Sequence, residues 1–279
     1  MPELPEVETV RRGLVALLDG RSVVSAQVLH PRPVRRHPAG PDDFAATLIG
    51  RRLRAPRRRG KFLWFPFADG DAMVAHLGMS GQFRDDHPEA PLPPNARVLI
   101  DLDNGRQLRF VDQRMFGGLW LSPGGADLPD EVRRIALDPF DSAFDAVTVA
   151  RSMSHRKAGI KRLLLDQCVV SGIGNIYADE ALWRARLHYN TPAAALSVRR
   201  LASLLRHAQS VMGESLEQGG TSFDSLYVDV NGRSGYHDRS LQVYGRAGRP
   251  CSRCGQTLVR EAFANRSSFR CPRCQRPTY

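Results

Sequence analysis

Residues 251–274, CSRCGQTLVREAFANRSSFRCPRC, contain two Cys-x2-Cys pairs that are separated by sixteen residues. Paired thiolates on two tight turns offer four soft ligands that close tetrahedrally around Zn²⁺. Because a four-thiolate site leaves no open coordination position, the spacing predicts one structural zinc ion. A module of about forty residues cannot build a sufficient core alone, so the metal would hold it together. The predicted ligands are Cys251, Cys254, Cys271 and Cys274.

The residues between the two cysteine pairs favour a β-hairpin, with Arg266 near its tip. In a cytosolic protein such cysteine spacing favours metal binding over disulfides. The fifth cysteine, Cys168, stands alone on an apolar helical stripe that includes Ile160 and Leu164. We therefore expect Cys168 to be a core residue.

The chain upstream of the cysteine module changes character along its length. A helix is predicted over residues 5–20, and short β-rich runs broken by Gly, Pro and Asp then predict a sandwich or a barrel. A stretch rich in Pro, Gly and Asp suits a linker, and helical periodicity follows it, with a long segment from Ser197 to Gln218. The sequence thus predicts an α+β fold. Its predicted parts are an N-terminal domain at 1–121, a linker at 122–145, a helical domain at 146–239 and the cysteine module at 240–279.

The 279 residues carry a formal net charge of +11. This imbalance indicates a polyanionic partner, and nucleic acid is favoured over a membrane because no basic amphipathic helix stands out. No apolar run approaches the length of a membrane span. The start of the chain is acidic and lacks the apolar core of a signal peptide, so we expect a cytoplasmic protein.

Two stretches suggest contact with phosphate. The segment 51–61 holds seven Arg and Lys residues, for which a solvated strand-and-turn face is the alternative interpretation. In SGIGNIYADEALW, residues 171–183, Gly172 and Gly174 break a helix and Asn175 stands where a new helix begins. Exposed N–H groups at a helix start bind phosphate, although an ordinary helix C-cap explains the same glycines.

The first ten residues, MPELPEVETV, are only partly explained by a helix start. Pro5 suits the first helical position, and Glu6 and Glu8 suit the positive first turn. Pro2 and Glu3 lie before that helix, and a helix start gives them no role.

Taken together, these stretches resemble the bacterial formamidopyrimidine-DNA glycosylase (Fpg/MutM) family nearly from end to end. The resemblance implies an N-terminal β-sandwich with a leading helix, a helical helix–two-turns–helix domain and a C-terminal four-cysteine zinc finger, with DNA bound in the cleft between them. The matching motifs are MPELPEVETV at 1–10, HLGMSG at 76–81, GIGNIYADEAL at 172–182, EQGGTS at 217–222, VYGRAGRPCSRCG at 243–255 and the second cysteine pair.

The resemblance also implies a monomeric base excision repair enzyme that is both a DNA glycosylase and an AP lyase. It would excise oxidised purines, chiefly 8-oxoguanine and formamidopyrimidines, from double-stranded DNA and cleave the strand by β,δ-elimination. In the family the initiator Met is removed and the amine of Pro2 becomes the nucleophile. That amine is secondary, so its Schiff base has no N–H to lose and remains a cationic electron sink. Glu3 would be the acid/base that helps open the deoxyribose and moves protons during elimination.

Further roles around the lesion nucleotide follow from the resemblance. Lys61 and Lys161 match two catalytic lysines near the lesion, although snorkelling surface side chains are the ordinary interpretation. Glu6 matches a supporting position, with a helix-start acid as the alternative. Turning a nucleotide out of the stack leaves a hole that the family fills with three residues. These map to Met79, Arg114 and Phe116, with Arg114 facing the orphaned cytosine, and the phosphate contacts map to Asn175, Tyr177 and Arg266.

Met79 and Phe116 would otherwise be interpreted as core residues. Two segments depart from the family pattern: Met115 in DQRMFGG replaces an arginine, and LDPFD at 137–141 replaces a common loop sequence. The nearest alternative function is an endonuclease VIII-like glycosylase for oxidised pyrimidines, against which Leu4 and the segment 219–237 argue. A damage-binding zinc protein without catalysis is the other alternative, against which the intact catalytic candidates argue.

Overall fold

The computed structural model describes residues 2–220 and 240–277. The chain divides into two compact units: unit 1 is Met1–Arg134 with Gln218–Tyr236, and unit 2 is Ile135–Glu217 with His237–Tyr279. The segment 219–237, which argues against the endonuclease VIII-like alternative, lies outside the described residues except for its first two positions. The four-part division predicted from composition stays a prediction.

Unit 1 begins with helix α1, Leu4–Leu18, which starts one residue before Pro5. Pro5 still lies in the first turn, where its missing N–H forfeits no helical hydrogen bond. The apolar face of α1, including Val7 and Leu14, is buried in the core of the unit. The helical prediction for this stretch is therefore confirmed.

Two four-stranded antiparallel sheets make up the described part of the unit 1 sandwich, which confirms the predicted architecture. One core fills the space between them, and Phe65 of one sheet meets Phe83 of the other edge-on, with ring centroids 5.2 Å apart. The first sheet has the order β1 (Val23–Val28), β6 (Ala96–Leu102), β7 (Gln107–Asp112) and β5 (Gly81–Asp86), and the second has the order β2 (Arg57–Arg59), β3 (Phe62–Pro66), β4 (Ala72–His76) and β8 (Gly118–Ser122). The described part of the unit also contains helices α2 (Pro41–Leu48) and α3 (Asp130–Arg133).

Unit 2 is helical and ends in a hairpin. Its described helices are α4 (Ala146–Ser154), α5 (Ile160–Leu165), α6 (Asn175–Ala185) and α7 (Val198–Glu217). The long helix α7 was predicted from periodicity, and it packs against α4 and α6. Strands β9 (Val259–Phe263) and β10 (Arg266–Arg270) form the predicted hairpin, with Arg266 paired to Phe263 next to the turn. Within residues 2–220 and 240–277, no helix combines the length and apolar character needed to cross a membrane.

The prediction that Cys168 lies in the core is wrong. Helix α5 ends at Leu165, and the Asp166 side chain accepts a hydrogen bond from the Cys168 backbone N–H over 2.9 Å. An aspartate that bonds the backbone two residues later favours a turn over continued helix. The helical period therefore does not extend to Cys168, whose side chain is exposed.

Candidate active site and zinc centre

Pro2 and Glu3 are both buried at the start of α1, where Glu3 is 2% exposed. The backbone N–H of Glu3 donates to the Glu6 carboxylate over 2.8 Å, which fixes the direction in which the chain enters the helix. Gly220 of the EQGGTS motif has a φ of +89°, and a Cβ there would lie 3.3 Å from Cγ of Glu6. The structure thus brings Pro2, Glu3 and Glu6 together and places Gly220 beside them.

Lys61 lies in the turn between β2 and β3, and an ion pair ties that turn to α1. The Glu8 carboxylate accepts from Nε of Arg58 over 3.0 Å, and Arg58 Nη1 donates to the Gly60 carbonyl over 3.1 Å. Burial alone would raise the pKa of Glu8, but the hydrogen bonds and charges of Arg11 and Arg58 outweigh it and lower the pKa to about 2. The turn that carries Lys61 therefore has a fixed place relative to the first turns of α1.

The three predicted wedge residues lie on exposed loops of unit 1. Met79 is 39% exposed and Phe116 is 55% exposed, whereas most large apolar side chains of the described chain are buried. The alternative that these two are core residues is therefore wrong. Arg114 is also exposed, and its Nη1 lies 3.8 Å from Sδ of Met79.

A buried carboxylate holds the two wedge loops together. Asp112 is fully buried; its Oδ1 accepts from the Ser80 hydroxyl over 2.6 Å and its Oδ2 accepts from the Gly117 N–H over 2.8 Å. The Ser80 Oγ in turn accepts from the backbone N–H of Arg114 over 2.9 Å. Ser80 is next to Met79, and Gly117 is next to Phe116. A single carboxylate therefore connects both loops, and Arg35 also donates to the Gly117 carbonyl over 2.8 Å.

The backbone between the wedge residues is unusual in two places. A Cβ at Gly78 would lie 2.5 Å from the backbone N of Gly117, so only glycine allows this approach of the two loops. Met115 has a φ of +54°, a left-handed conformation that residues other than glycine rarely adopt. The position that departs from the family pattern is thus a strained reversal between Arg114 and Phe116.

Sequence reasoning missed a basic pocket beside Phe116. Its cavity of about 130 Å³ lies between Arg35, Arg36 and His76. Burial, followed by the charges of Lys61 and Arg36, lowers the pKa of His76 to about 4, so the ring is neutral at pH 7. Its Nδ1 accepts from the Gly78 N–H over 3.1 Å, which leaves the proton on Nε2. The signal was present, since His76 opens the HLGMSG motif, but it received no role.

Unit 2 brings two of its predicted phosphate contacts to one hairpin. Asn175 is the first residue of α6, and its Nδ2 donates to the Ser267 carbonyl over 2.9 Å. Arg266 precedes Ser267 in β10 and its side chain is exposed. Asn175 and Arg266 are therefore held near each other by the carbonyl between them.

The structure places two other predicted site residues in the interior. Tyr177 is fully buried, and its hydroxyl lies 2.6 Å from Oγ of Ser215. This burial contradicts a phosphate contact by the Tyr177 side chain, because packing on α7 holds the ring away from solvent. Lys161 is also 0% exposed, and its Nζ lies 2.6 Å from Oδ1 of Asp179.

The four cysteines of unit 2 form the candidate zinc centre. Their Sγ atoms all lie within 4.8 Å of one another, and Cys254 Sγ is 3.5 Å from Sγ of both Cys271 and Cys274. Tetrahedral zinc with Zn–S bonds of about 2.3 Å requires sulfur separations of about 3.8 Å, so the cluster fits the ion. The Trp183 indole N–H donates to Cys251 Sγ over 3.4 Å, which supports the ligand from outside.

Comparison with known proteins agrees with this arrangement. Residues 1–119 match the formamidopyrimidine-DNA glycosylase N-terminal domain, 135–226 match the H2TH domain of that enzyme, and 248–277 match a zinc finger found in FPG and IleRS. These domains define a DNA-repair glycosylase with a zinc finger. The chain belongs to the formamidopyrimidine-DNA glycosylase family, and it carries one structural zinc.

Individual relatives cover the whole chain. The formamidopyrimidine-DNA glycosylase of Nocardioides sp. (strain ATCC BAA-499 / JS614) is 57% identical over 99% of this chain and 94% of its own length. The Lactococcus lactis Fpg, solved with DNA containing an abasic site, is 32% identical with a TM-score of 0.89, covering 99% of this chain and 100% of its own. A MutM solved with DNA containing carbocyclic 8-oxo-G gives the same identity, TM-score and coverage.

Proposed function

We propose that this enzyme excises oxidised purines from double-stranded DNA and cleaves the strand through a Schiff base on Pro2. The observation that carries the proposal is the buried start of α1, where Pro2 and Glu3 adjoin Glu6. After removal of Met1, Pro2 presents a secondary amine that is anchored to the backbone beside a carboxyl group. An α-amine has a reference pKa of about 8, so a useful fraction is free base near neutral pH.

The chemistry needs no oxidant or reductant. The Pro2 nitrogen bonds to C1′ as the glycosidic bond breaks, and the base leaves with the electron pair and takes up a proton. Glu3 donates a proton to the ring oxygen, which opens the sugar and yields the iminium. Loss of a C2′ proton then expels the 3′ phosphate as the C3′–O bond breaks, and loss of a C4′ proton expels the 5′ phosphate as the C5′–O bond breaks. Lys61, on the turn tied to α1, supplies a cation for the lesion nucleotide and its phosphates.

The exposed loops of unit 1 fill the space that the everted nucleotide leaves. Met79 and Phe116 are apolar, exposed and adjacent to a guanidinium, which are the properties of side chains that wedge between base steps. Arg114 hydrogen-bonds the widowed base. The basic pocket of Arg35, Arg36 and His76 beside Phe116 takes a backbone phosphate.

Unit 2 supplies further contacts with the DNA phosphates. Asn175 offers its second amide N–H to a phosphate, and Arg266 offers a guanidinium from the hairpin. The zinc holds the two cysteine turns between which that hairpin lies. As its resemblance to the family implies, the enzyme acts as a monomer, and we place it in the cytoplasm with the DNA.

The lesion preference can be tested directly. Base release is measured on one duplex carrying 8-oxoguanine opposite cytosine and on a matched duplex carrying thymine glycol. We expect kcat/KM to favour the purine lesion by ~10-fold or more. Faster release of thymine glycol would assign the endonuclease VIII-like activity. Tight binding without release of either base would indicate a damage-binding zinc protein without catalysis.

A further inference from the structure

Lys161 lies at the centre of a cluster of interactions in the interior of unit 2, and its own side chain is 0% exposed. Its Nζ lies 2.6 Å from Oδ1 of Asp179 and donates to the Ser267 carbonyl over 3.1 Å. The ammonium also lies 4.9 Å from the ring centroid of Phe263. Lys161 belongs to α5, Asp179 to α6 and Ser267 to β10, so one cation joins three elements of unit 2.

Asp179 binds the same hairpin strand through its other contacts. Its Oδ1 accepts from the Ser268 hydroxyl over 3.0 Å and its Oδ2 accepts from the Phe269 backbone N–H over 2.9 Å. The carboxylate is 1% exposed, and burial raises its pKa to about 6 against the opposing effect of Lys161. Strand β10 is therefore fixed to α6 at three successive residues.

The Ser267 carbonyl connects this cluster to the proposed DNA contacts. It accepts from Lys161 Nζ and from Nδ2 of Asn175, so the position of this one oxygen is coupled to both side chains. Arg266 is the preceding residue of the strand. A shift of the Ser267 peptide would displace the Asn175 amide and the Arg266 guanidinium together.

We propose that Lys161 and Asp179 are positioning residues that hold Asn175 and Arg266 in the geometry for phosphate binding, and that Lys161 does not contact the lesion. The inference rests on the proposed DNA contacts of Asn175 and Arg266. To reach a nucleotide, the ammonium would have to leave a buried carboxylate unpaired, which proteins avoid strongly. Lys161 thus acts on the reaction through DNA binding.

The test compares binding with chemistry in Lys161→Met, using the full chain with zinc. Binding is measured on a duplex carrying a tetrahydrofuran abasic analogue at several salt concentrations, and single-turnover excision is measured on 8-oxoguanine at saturating enzyme. We expect Kd to rise about tenfold and the slope of log K against log salt to fall by about one, because one phosphate contact is lost. The single-turnover rate should stay within about threefold of wild type. An unchanged Kd with a rate loss of about a hundredfold or more would overturn the proposal.

Arg184→Met is the matched control for general destabilisation. Arg184 of α6 forms a bidentate ion pair with Glu214 of α7, with both N–O distances 2.6 Å, and it touches neither Asn175 nor the hairpin. We expect this variant to lower stability and leave the Kd and the salt slope unchanged. If Arg184→Met raises Kd as much as Lys161→Met, the effect is not positioning and the proposal fails.

Further variants keep the test decisive. Lys161→Met/Asp179→Leu removes both charges together, so it avoids the unpaired buried carboxylate that Lys161→Met leaves, and it should show the same weakened binding. In an Arg266→Ala background the added Kd effect of Lys161→Met should largely vanish, whereas full additivity would overturn the proposal.

If Arg266→Ala and Asn175→Ala leave Kd unchanged, the proposed DNA contacts are wrong and the proposal falls with them. If they weaken binding and Lys161→Met does not, the positioning role alone is wrong.

Discussion

Asp112 in unit 1 and Asp179 in unit 2 are buried carboxylates that organise backbone next to proposed DNA contacts, yet they do so with different partners. The Asp112 carboxylate accepts from a hydroxyl and a backbone N–H, and among the described residues it forms no ion pair; the Arg97 guanidinium bonds the Asp112 backbone carbonyl instead. Asp179 accepts from the same two kinds of donor and also faces a buried lysine. The Asp112 carboxylate thus holds the loops of unit 1 through neutral donors, whereas the Asp179 carboxylate holds the hairpin of unit 2 through neutral donors and an ion pair. Unit 1 carries the proposed chemistry together with some of the proposed phosphate contacts, and the proposed role of unit 2 is phosphate binding alone.

The largest expected effect is the loss of the chemistry of unit 1 with DNA binding retained. Pro2→Gly replaces the secondary amine with a primary one on a freer backbone, so strand scission should fall by about 10³-fold or more. Binding to an abasic-analogue duplex should stay within about threefold, because the phosphate contacts remain. Scission is measured by gel under single-turnover conditions. Unchanged scission would remove Pro2 as the nucleophile.

The converse variant disrupts the zinc centre of unit 2. Cys254→Ser removes one thiolate from the zinc centre, so the hairpin with Arg266 loses its support. We expect zinc loss, measured by elemental analysis, together with a fall in DNA affinity of about 100-fold. Exposed Cys168 is the matched control, and Cys168→Ser should retain zinc and affinity. Full affinity in a metal-free Cys254→Ser protein would show that the finger is dispensable for binding.

The two carboxylates themselves should respond unequally to the same substitution. Asp179→Asn leaves the Lys161 ammonium buried without its counter-charge, and we expect unfolding free energy to fall by about 3–5 kcal/mol. Asp112→Asn keeps one acceptor and leaves no cation unpaired, so we expect the unfolding free energy to fall by about 1–3 kcal/mol. Urea denaturation of both variants measures the difference. Equal losses would mean that the ion pair adds nothing to the hydrogen bonds.

Ser80→Ala sharpens the comparison within unit 1. It removes the hydroxyl between Asp112 and the Arg114 backbone, so the wedge loops lose alignment while Pro2 is untouched. Excision of 8-oxoguanine should fall about tenfold, and cleavage at a preformed abasic site should fall less than about threefold, since that substrate has no damaged base to remove. Ser25→Ala, an exposed hydroxyl paired with Asp101, is the control. Equal losses on both substrates would exclude a wedge-positioning role.

The smallest effect concerns the pH dependence of unit 1. Folding lowers the pKa of Glu8 from 4.5 to about 2, so this carboxylate stabilises the fold above pH 4.5 and loses that contribution as pH falls toward 2. After discounting for solvent screening, about 1–2 kcal/mol should disappear over this range. Glu8→Gln should show a correspondingly shallower loss of unfolding free energy. Identical pH profiles for the two proteins would contradict the ion-pair assignment.

Most of the confirmed sequence predictions depended on patterns within a single segment of the chain. The cysteine ligands, the hairpin with Arg266 and helix α7 depend on spacing within one segment, and each was confirmed at that level. The interior position of Lys161 could not be predicted, because its partners Asp179 and Ser267 come from distant elements. The role of Asp112 likewise depends on Ser80 in another loop. Cys168 was misplaced because a local aspartate turn ended the helix that periodicity had extended.

The central claim is that Pro2 forms a Schiff base with the sugar of an oxidised purine nucleotide. Borohydride trapping on duplex DNA with 8-oxoguanine opposite cytosine, alongside a thymine-glycol duplex, tests it most directly. We predict a covalent protein–DNA adduct that maps to Pro2 by mass spectrometry and is stronger on the purine lesion. No adduct on either duplex, from protein with a verified Pro2 terminus and tight DNA binding, would contradict the account.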